Sequence, residues 1–126
     1  MFIIGERKDT AESIADLREF VNELDPDFAI FAILTPFPGT ELYEEAIKNG
    51  WIQDLNWSHY DMVHAIMPTE TLSRKEVQEE LYNCYRSFYS SFERRISGLF
   101  SGNEMKRRIY WYMAFRGILR QFRKLY

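Results

Sequence analysis

Residues Phe28–Leu34, FAIFAIL, run apolar for seven positions without a polar interruption. A strand of this kind must be covered on both faces, as in the parallel sheets of α/β proteins. At Thr35 the chain changes character abruptly. In Thr35-Pro36-Phe37-Pro38-Gly39-Thr40 two prolines fix φ and remove backbone donors, and Gly39 permits a conformation other residues avoid. Thr40 is a good N-cap for a helix over Glu41–Asn49, which Gly50 would end. The stretch reads as strand, loop, helix. In open α/β sheets and α/β barrels, ligands bind at the loops after the carboxyl ends of strands, so Thr35–Thr40 is the first place to look for function.

Met1–Gly5 (MFIIG) is short, apolar and β-branched, and suits a second buried strand. Asp9 or Thr10 can then cap a helix that turns Ile14, Leu17, Val21 and Leu24 inward and Glu12, Asp16, Glu19 and Glu23 to water, until Pro26 stops it. Residues 1–34 therefore predict a right-handed βαβ unit. Two parallel strands do not make a domain, because a parallel sheet needs its faces and edges occupied. Phe28, Ile30, Phe31, Ile33 and Leu34 are each worth about 1.5–3 kcal/mol when buried. Together they match the roughly 5–15 kcal/mol stability of a whole domain. The expectation is the carboxyl-terminal part of a larger α/β sheet or barrel, or a chain that assembles with copies of itself.

Trp51–Thr71 is a long connection holding Trp51, Trp57, Tyr60 and Met62, too apolar for a free linker and expected to wrap over a neighbouring surface. Ser73 and Glu76 form a capping-box signature. Val77, Leu81, Cys84 or Tyr85, Phe88, Phe92, Ile96 and Leu99 then predict one long amphipathic helix ending near Gly98–Gly102. From Glu104 a last helix is expected to carry Met105, Ile109, Tyr112, Phe115, Leu119 and Phe122 on one face, and Arg116, Arg120, Arg123 and Lys124 largely on another. The chain thus divides into 1–50, a βαβα portion, 51–72, an aromatic-rich connection, and 73–126, a helical extension with a basic final helix.

The formal charge of −3 hides an asymmetry. Residues 1–50 carry eleven acidic and four basic side chains, whereas 104–126 carry one and seven. A single cysteine, Cys84, excludes an internal disulfide and cannot by itself hold zinc or an iron–sulfur cluster. No apolar run reaches the roughly 18–20 residues of a spanning helix and no secretory signal opens the chain, so cytoplasmic is the default expectation.

Four groups of residues carry a likeness to a known family: Phe2-Ile3-Ile4-Gly5, Asp9-Thr10-x-Glu12-Ser13-Ile14, Pro26-Asp27-Phe28-Ala29 and Leu34-Thr35-Pro36-Phe37-Pro38-Gly39-Thr40-Glu41-Leu42-Tyr43-Glu44. Together they resemble the late barrel of radical S-adenosylmethionine (SAM) enzymes, in particular the cobalamin-binding group that includes the anaerobic magnesium-protoporphyrin IX monomethyl ester cyclase type. The likeness is good over residues 2–50 and looser through Trp57–Thr69. It implies a (β/α)6 partial TIM barrel in which the two strands are the fifth and sixth, followed by a helical carboxyl-terminal extension. It also implies that Gly5, Thr35, Pro36, Pro38, Gly39 and Thr40 lie at the cofactor end, where strand loops help seat the adenosyl part of SAM. In such enzymes a reduced [4Fe-4S] cluster cleaves SAM to a radical that abstracts hydrogen from substrate. The cluster-binding C-x-x-x-C-x-x-C motif is absent from these 126 residues, as are the early strands and the cobalamin domain. The chain alone is therefore expected to bind no cofactor and to be inactive, its partner being the remainder of the barrel. Many relatives have Pro-Gly-Glu-Thr where this chain has Arg7-Lys8-Asp9-Thr10, so only Gly5 and Thr10 carry over in that loop.

Each candidate also has a plainer reading. Thr35–Thr40 is equally the chemistry of a rigid strand-to-helix turn. Glu41, Glu44 and Glu45 complement a helix dipole. His64 and His59 lack a third ligand at metal spacing, and Cys84, on an apolar helix face, is a small hydrophobe with no catalytic role. The basic aromatic tail, residues 104–126, can pack on a parent domain, lie on anionic lipid as a peripheral membrane contact, or meet nucleic acid. Packing is favoured, and the acidic overall balance weighs against nucleic acid. The contrasting reading of the whole chain is a non-enzymatic interaction module.

Overall fold

The computed structural model describes the backbone of residues 1–122 and side chains through Arg116. The elements run in the order β1 (Phe2–Ile4), α1 (Ala11–Leu24), β2 (Phe31–Ile33), α2 (Glu41–Lys48), a 3-10 turn (Trp57–His59), α3 (Arg74–Tyr89), α4 (Phe92–Leu99) and α5 (Glu104–Phe122). Two compact units divide the chain, Met1–Phe88 and Tyr89–Tyr126.

In the first unit β1 and β2 are parallel, with Phe2 opposite Phe31, Ile3 opposite Ala32 and Ile4 opposite Ile33. The caps fall where the hydroxyl residues predict them. Thr10 and Ser13 make a reciprocal box at the start of α1, and Thr40 accepts from the Tyr43 amide at the start of α2. Ser73 and Glu76 exchange bonds at the start of α3, the Ser73 amide donating to Glu76 Oε2 at 2.7 Å. One sheet face holds Phe2, Ile4, Phe31 and Ile33, and α3 packs there. Its Val77 meets Ile33 beside Gly5, and the Tyr85 ring stands edge-on to Phe31 at 5.4 Å. An ion pair between Arg18 and Glu80 and a bond from Asn22 to Ser87 tie α1 to α3.

The other sheet face is open except at Ala32, which is 4% exposed. By the two-residue period it carries Met1, Ile3 and Ile30, which are 72%, 49% and 59% exposed. The apolar run from Phe28 to Leu34 is thus paired over only three residues, and at Ile30 and the neighbouring Ile3 its second face has no cover among the described residues. The two edges of the sheet also differ. On the outer edge of β2 the Tyr85 hydroxyl accepts from the Phe31 amide at 3.2 Å and donates to the Phe31 carbonyl at 2.8 Å, while the Ile33 amide donates to the Met62 carbonyl at 2.8 Å. This edge is sealed. On β1, residues 2 and 4 bond to β2 and the backbone groups of Ile3 point away from it, with no partner among the described residues.

Three expectations need correction. The predicted continuous helix from Ser73 to Gly98–Gly102 is broken at Ser90 and Ser91, where Ser91 caps α4 by accepting from the Arg94 amide. Leu24 is exposed rather than part of the inward stripe of α1. In α5 the inward side chain is Tyr110, while Met105, Tyr112 and Phe115 of the predicted apolar face are exposed. The reason is Gly98, where any Cβ would collide with the Tyr110 ring, so the glycine notch draws that ring in and sets the rotation of the helix. Leu119, Phe122, Arg120, Arg123 and Lys124 lie outside the residues whose side chains are described.

Candidate functional site

The carboxyl ends of β1 and β2 lead into Gly5–Thr10 and Leu34–Thr40, the loops that carry the predicted site residues. Gly5 has φ +84°, a left-handed conformation that favours glycine. A Cβ there would sit 3.2 Å from Val77 Cγ1 and 3.3 Å from Ile33 Cγ2, so the steric demand comes from the core. The amides of Gly5 and Glu6 both donate to Asp9 Oδ2, at 2.8 and 3.0 Å. Asp9 thereby closes the loop upon itself and occupies the two backbone donors that an anionic group would otherwise meet.

In the second loop Thr35 and Pro36 are buried, and Thr35 Oγ1 donates to the Ile33 carbonyl at 3.1 Å. Phe37–Thr40 is a turn with Pro38 and Gly39 (φ +84°) at its centre, closed by the Thr40 amide on the Phe37 carbonyl at 3.1 Å. Proline then glycine is what a type II turn requires. Thr40 Oγ1 donates to the same carbonyl at 2.7 Å, so both threonine hydroxyls of the loop are engaged locally. Pro38, Gly39 and Thr40 are exposed. These residues shape the strand ends and hold the start of α2; the hydroxyl protons of Thr35 and Thr40 are both donated within the loop.

The connection over residues 51–72 lies beside these loops and is part of the first unit. Arg7 donates through Nη1 to the Pro68 carbonyl at 2.6 Å, and its guanidinium lies 4.2 Å from the Trp51 ring centre. The Glu70 amide donates to the Arg7 carbonyl, and Thr71 Oγ1 to that of Asp9. Trp57 stacks near Tyr60 at 4.9 Å and Tyr43 at 6.5 Å.

One arrangement here has no counterpart in the sequence expectations. The rings of His59 and His64 stack with centroids 4.5 Å apart, and each directs Nδ1 to a carboxylate at 2.9 Å, His59 to Asp54 and His64 to Asp61. A carboxylate only accepts, so Nδ1 carries the proton in both rings. Arg74 Nη1 also reaches Asp54, at 2.8 Å. The two D-x-x-H and D-x-x-x-x-H spacings were the available signal, but nothing in them announces that the rings meet. Among the described residues no three His, Cys, Asp or Glu side chains cluster to hold a metal ion.

Both carboxylates are held below the ordinary aspartate range. For Asp54 the causes are the bond from His59, then the Asn56 amide and Arg74. For Asp61 partial burial opposes the shift, and the Val63 and His64 amides with the His64 ring outweigh it. A depressed carboxylate contributes stability that is present above its unfolded value of about 4 and is lost as pH falls through the folded value. Acid unfolding followed by circular dichroism should therefore become less steep below about pH 4 in an Asp54→Asn, Asp61→Asn double variant. An unchanged acid limb would deny these two groups a part in it.

Cys84 is buried between Leu81 and Phe88 positions of α3, and burial pushes its thiol up to about 11. A buried, protonated thiol is a poor nucleophile, and one cysteine is too few for the four thiolates that hold an iron–sulfur cluster. An iron–sulfur cluster does not fit the residues of this chain.

No family model matches the chain. It is 34% identical over 123 residues, 96% of its length, to an uncharacterized methyltransferase of Pyrococcus horikoshii, of which those residues make up 26%. It is 29% identical over 89 residues to a bacteriochlorophyllide d methyltransferase of Chlorobaculum tepidum, covering 71% of the chain and 20% of that protein. With the anaerobic magnesium-protoporphyrin IX monomethyl ester cyclase of Rubrivivax gelatinosus the figures are 27% over 88 residues, 70% and 16%. The chain spans about a quarter or less of the length of these curated relatives. Its homologues are therefore methyltransferases and magnesium-protoporphyrin cyclases, and the likeness reaches only one portion of each.

Proposed function

We propose that these residues are the carboxyl-terminal part of a radical SAM enzyme of the cobalamin-binding methyltransferase and cyclase group. In this reading β1 and β2 are the fifth and sixth strands of a (β/α)6 partial barrel, and the loops Gly5–Thr10 and Thr35–Thr40 form its cofactor end. The observation that carries the reading is the asymmetry of the sheet. The outer edge of β2 is sealed by Tyr85 and Met62, whereas β1 offers the free backbone of Ile3 and an apolar face of Met1, Ile3 and Ile30. Further strands can add only at β1, on the side of the earlier chain, as befits the last two strands of a series. Relatives about four or more times as long, which these residues cover only in part, agree with it.

The chemistry would come from a cluster held elsewhere, and this chain would contribute shape. Gly5 and Pro36 fix the strand ends, Phe37–Thr40 turns the chain into α2, and the local satisfaction of Asp9, Thr35 and Thr40 keeps the loops rigid without a ligand. The substrate class named for two of the relatives, a magnesium tetrapyrrole or its chlorin kin, is the class we assign to the complete protein.

The test is the reading frame upstream of Met1. It should encode C-x-x-x-C-x-x-C, and its complete product, purified without oxygen, should absorb as an iron–sulfur protein and cleave SAM under reduction. Titration calorimetry of the 126-residue chain alone should show no submillimolar isotherm with SAM. A frame without the cysteines, or a clear isotherm with the short chain, would overturn the proposal.

A further inference from the structure

The unit from Tyr89 onward is opposite in charge to the rest. It carries nine basic and two acidic residues, whereas Met1–Phe88 carries seven and seventeen. Within it α5 turns Tyr110 onto Gly98 of α4 and leaves Met105, Trp111, Tyr112 and Phe115 exposed. At 3.6 residues per turn these four fall in one stripe roughly 120° wide. Arg107 borders the stripe on one side and Arg116 on the other, Arg108 stands within it, and the Arg116 guanidinium lies 5.5 Å over the Tyr112 ring. Along α4, Phe92, Ile96 and Phe100 are exposed at helical spacing. Phe92 and Ile96 also wall an open groove of about 420 Å³ that runs to Tyr110 and Met113 of α5.

We infer that the α4–α5 hairpin is a docking surface for an anionic lipid bilayer, lying in the headgroup layer with Trp111, Tyr112, Phe115 and Met105 at the acyl boundary. Two features favour this occupant. Arginines interleaved with exposed aromatic rings suit a surface that is apolar on one level and anionic just above it, where the rings enter and the guanidinium groups stay with phosphate. Nucleic acid would call on the same cations but would leave Phe92, Phe100, Met105 and Phe115 in water without a partner. No described helix is long and apolar enough to cross a membrane, so the contact is one of lying on the surface. The strongly acidic first unit would be repelled by the same lipid, which confines the contact to the hairpin. This inference does not rest on the radical SAM reading.

The probe is flotation of the 126-residue chain with vesicles of phosphatidylglycerol and phosphatidylcholine in equal parts, and with phosphatidylcholine alone. The chain should float with the mixed vesicles at low salt, and binding should fall about tenfold or more in half-molar salt or on neutral vesicles. In a Trp51→Phe, Trp57→Phe background, the emission of Trp111 should shift to the blue on binding. A Trp111→Ser, Phe115→Ser double variant replaces exposed side chains, so its circular dichroism should be unchanged while flotation drops about tenfold. Absence of flotation at low salt, flotation unaltered in that variant, or tighter binding to a DNA duplex than to the mixed vesicles would each overturn the inference.

Discussion

Phe31→Ala should cost about 3–5 kcal/mol in urea unfolding, while Ile30→Ala, one residue earlier in the same apolar run, should be close to neutral in this chain. Phe31 is 2% exposed. Its ring lies 5.7 Å from Phe2 and meets the edge of Tyr85, whose hydroxyl holds both backbone groups of Phe31. Truncation would leave a cavity between β2 and α3 and loosen the ring that seals the strand edge, so the loss includes more than transfer of one side chain. Ile30 points to the open face and loses almost nothing in the isolated chain. Joined to the remaining strands of a barrel, the same Ile30→Ala change should cost about 2–4 kcal/mol, since that face would then be interior. The pair of measurements separates a sheet that ends here from one that continues: an Ile30→Ala effect equally small in the longer protein would remove the barrel from consideration.

Local chemistry was legible where one residue decides the outcome. Thr10, Thr40 and Ser73 cap because a hydroxyl reaches the third amide of the turn it opens, and the Pro38-Gly39 turn arises from two fixed backbone preferences. The unbroken run from Phe28 to Leu34 announces two apolar faces, and on the second of them Ile30, beside Ile3, has no cover among the described residues. Periodicity failed where it was preserved across a break. Phe88, Phe92 and Ile96 keep helical spacing through Ser90-Ser91, so nothing in the pattern marks the end of α3, and the serine pair was the one cue. It failed again in α5, whose inward face is chosen by the notch at Gly98 rather than by the average of its apolar residues. The candidate loops were located by sequence, but their inward-turned hydrogen bonds were not. That Asp9 satisfies Gly5 and Glu6, that Tyr85 seals β2 and that His59 stacks on His64 are matters of tertiary approach, for which one sequence holds no record.

Gly5 and Gly39 share a φ of +84° and differ in their surroundings, so they should differ in what a methyl group costs. At Gly39 nothing lies within 4 Å of a prospective Cβ, so Gly39→Ala should cost only the left-handed backbone term of about 1–2 kcal/mol. At Gly5 the same term is joined by contacts at 3.2 Å to Val77 and 3.3 Å to Ile33. Both neighbours are fully buried and β-branched, so neither can swing aside. Overpacking of this kind adds about 1–3 kcal/mol, and Gly5→Ala should therefore lose about 2–5 kcal/mol in all. Val77→Ala removes the nearer obstacle, and the double variant should be less destabilised than the sum of the single changes by about 1 kcal/mol. Strict additivity would mean that α3 shifts bodily to make room, in which case the bond between Tyr85 and β2 would weaken with it and the strand edge would open. A coupling of the expected sign instead places the demand for glycine in the contact between β1 and α3, and leaves the shape of the Gly5–Thr10 loop as a consequence of that packing.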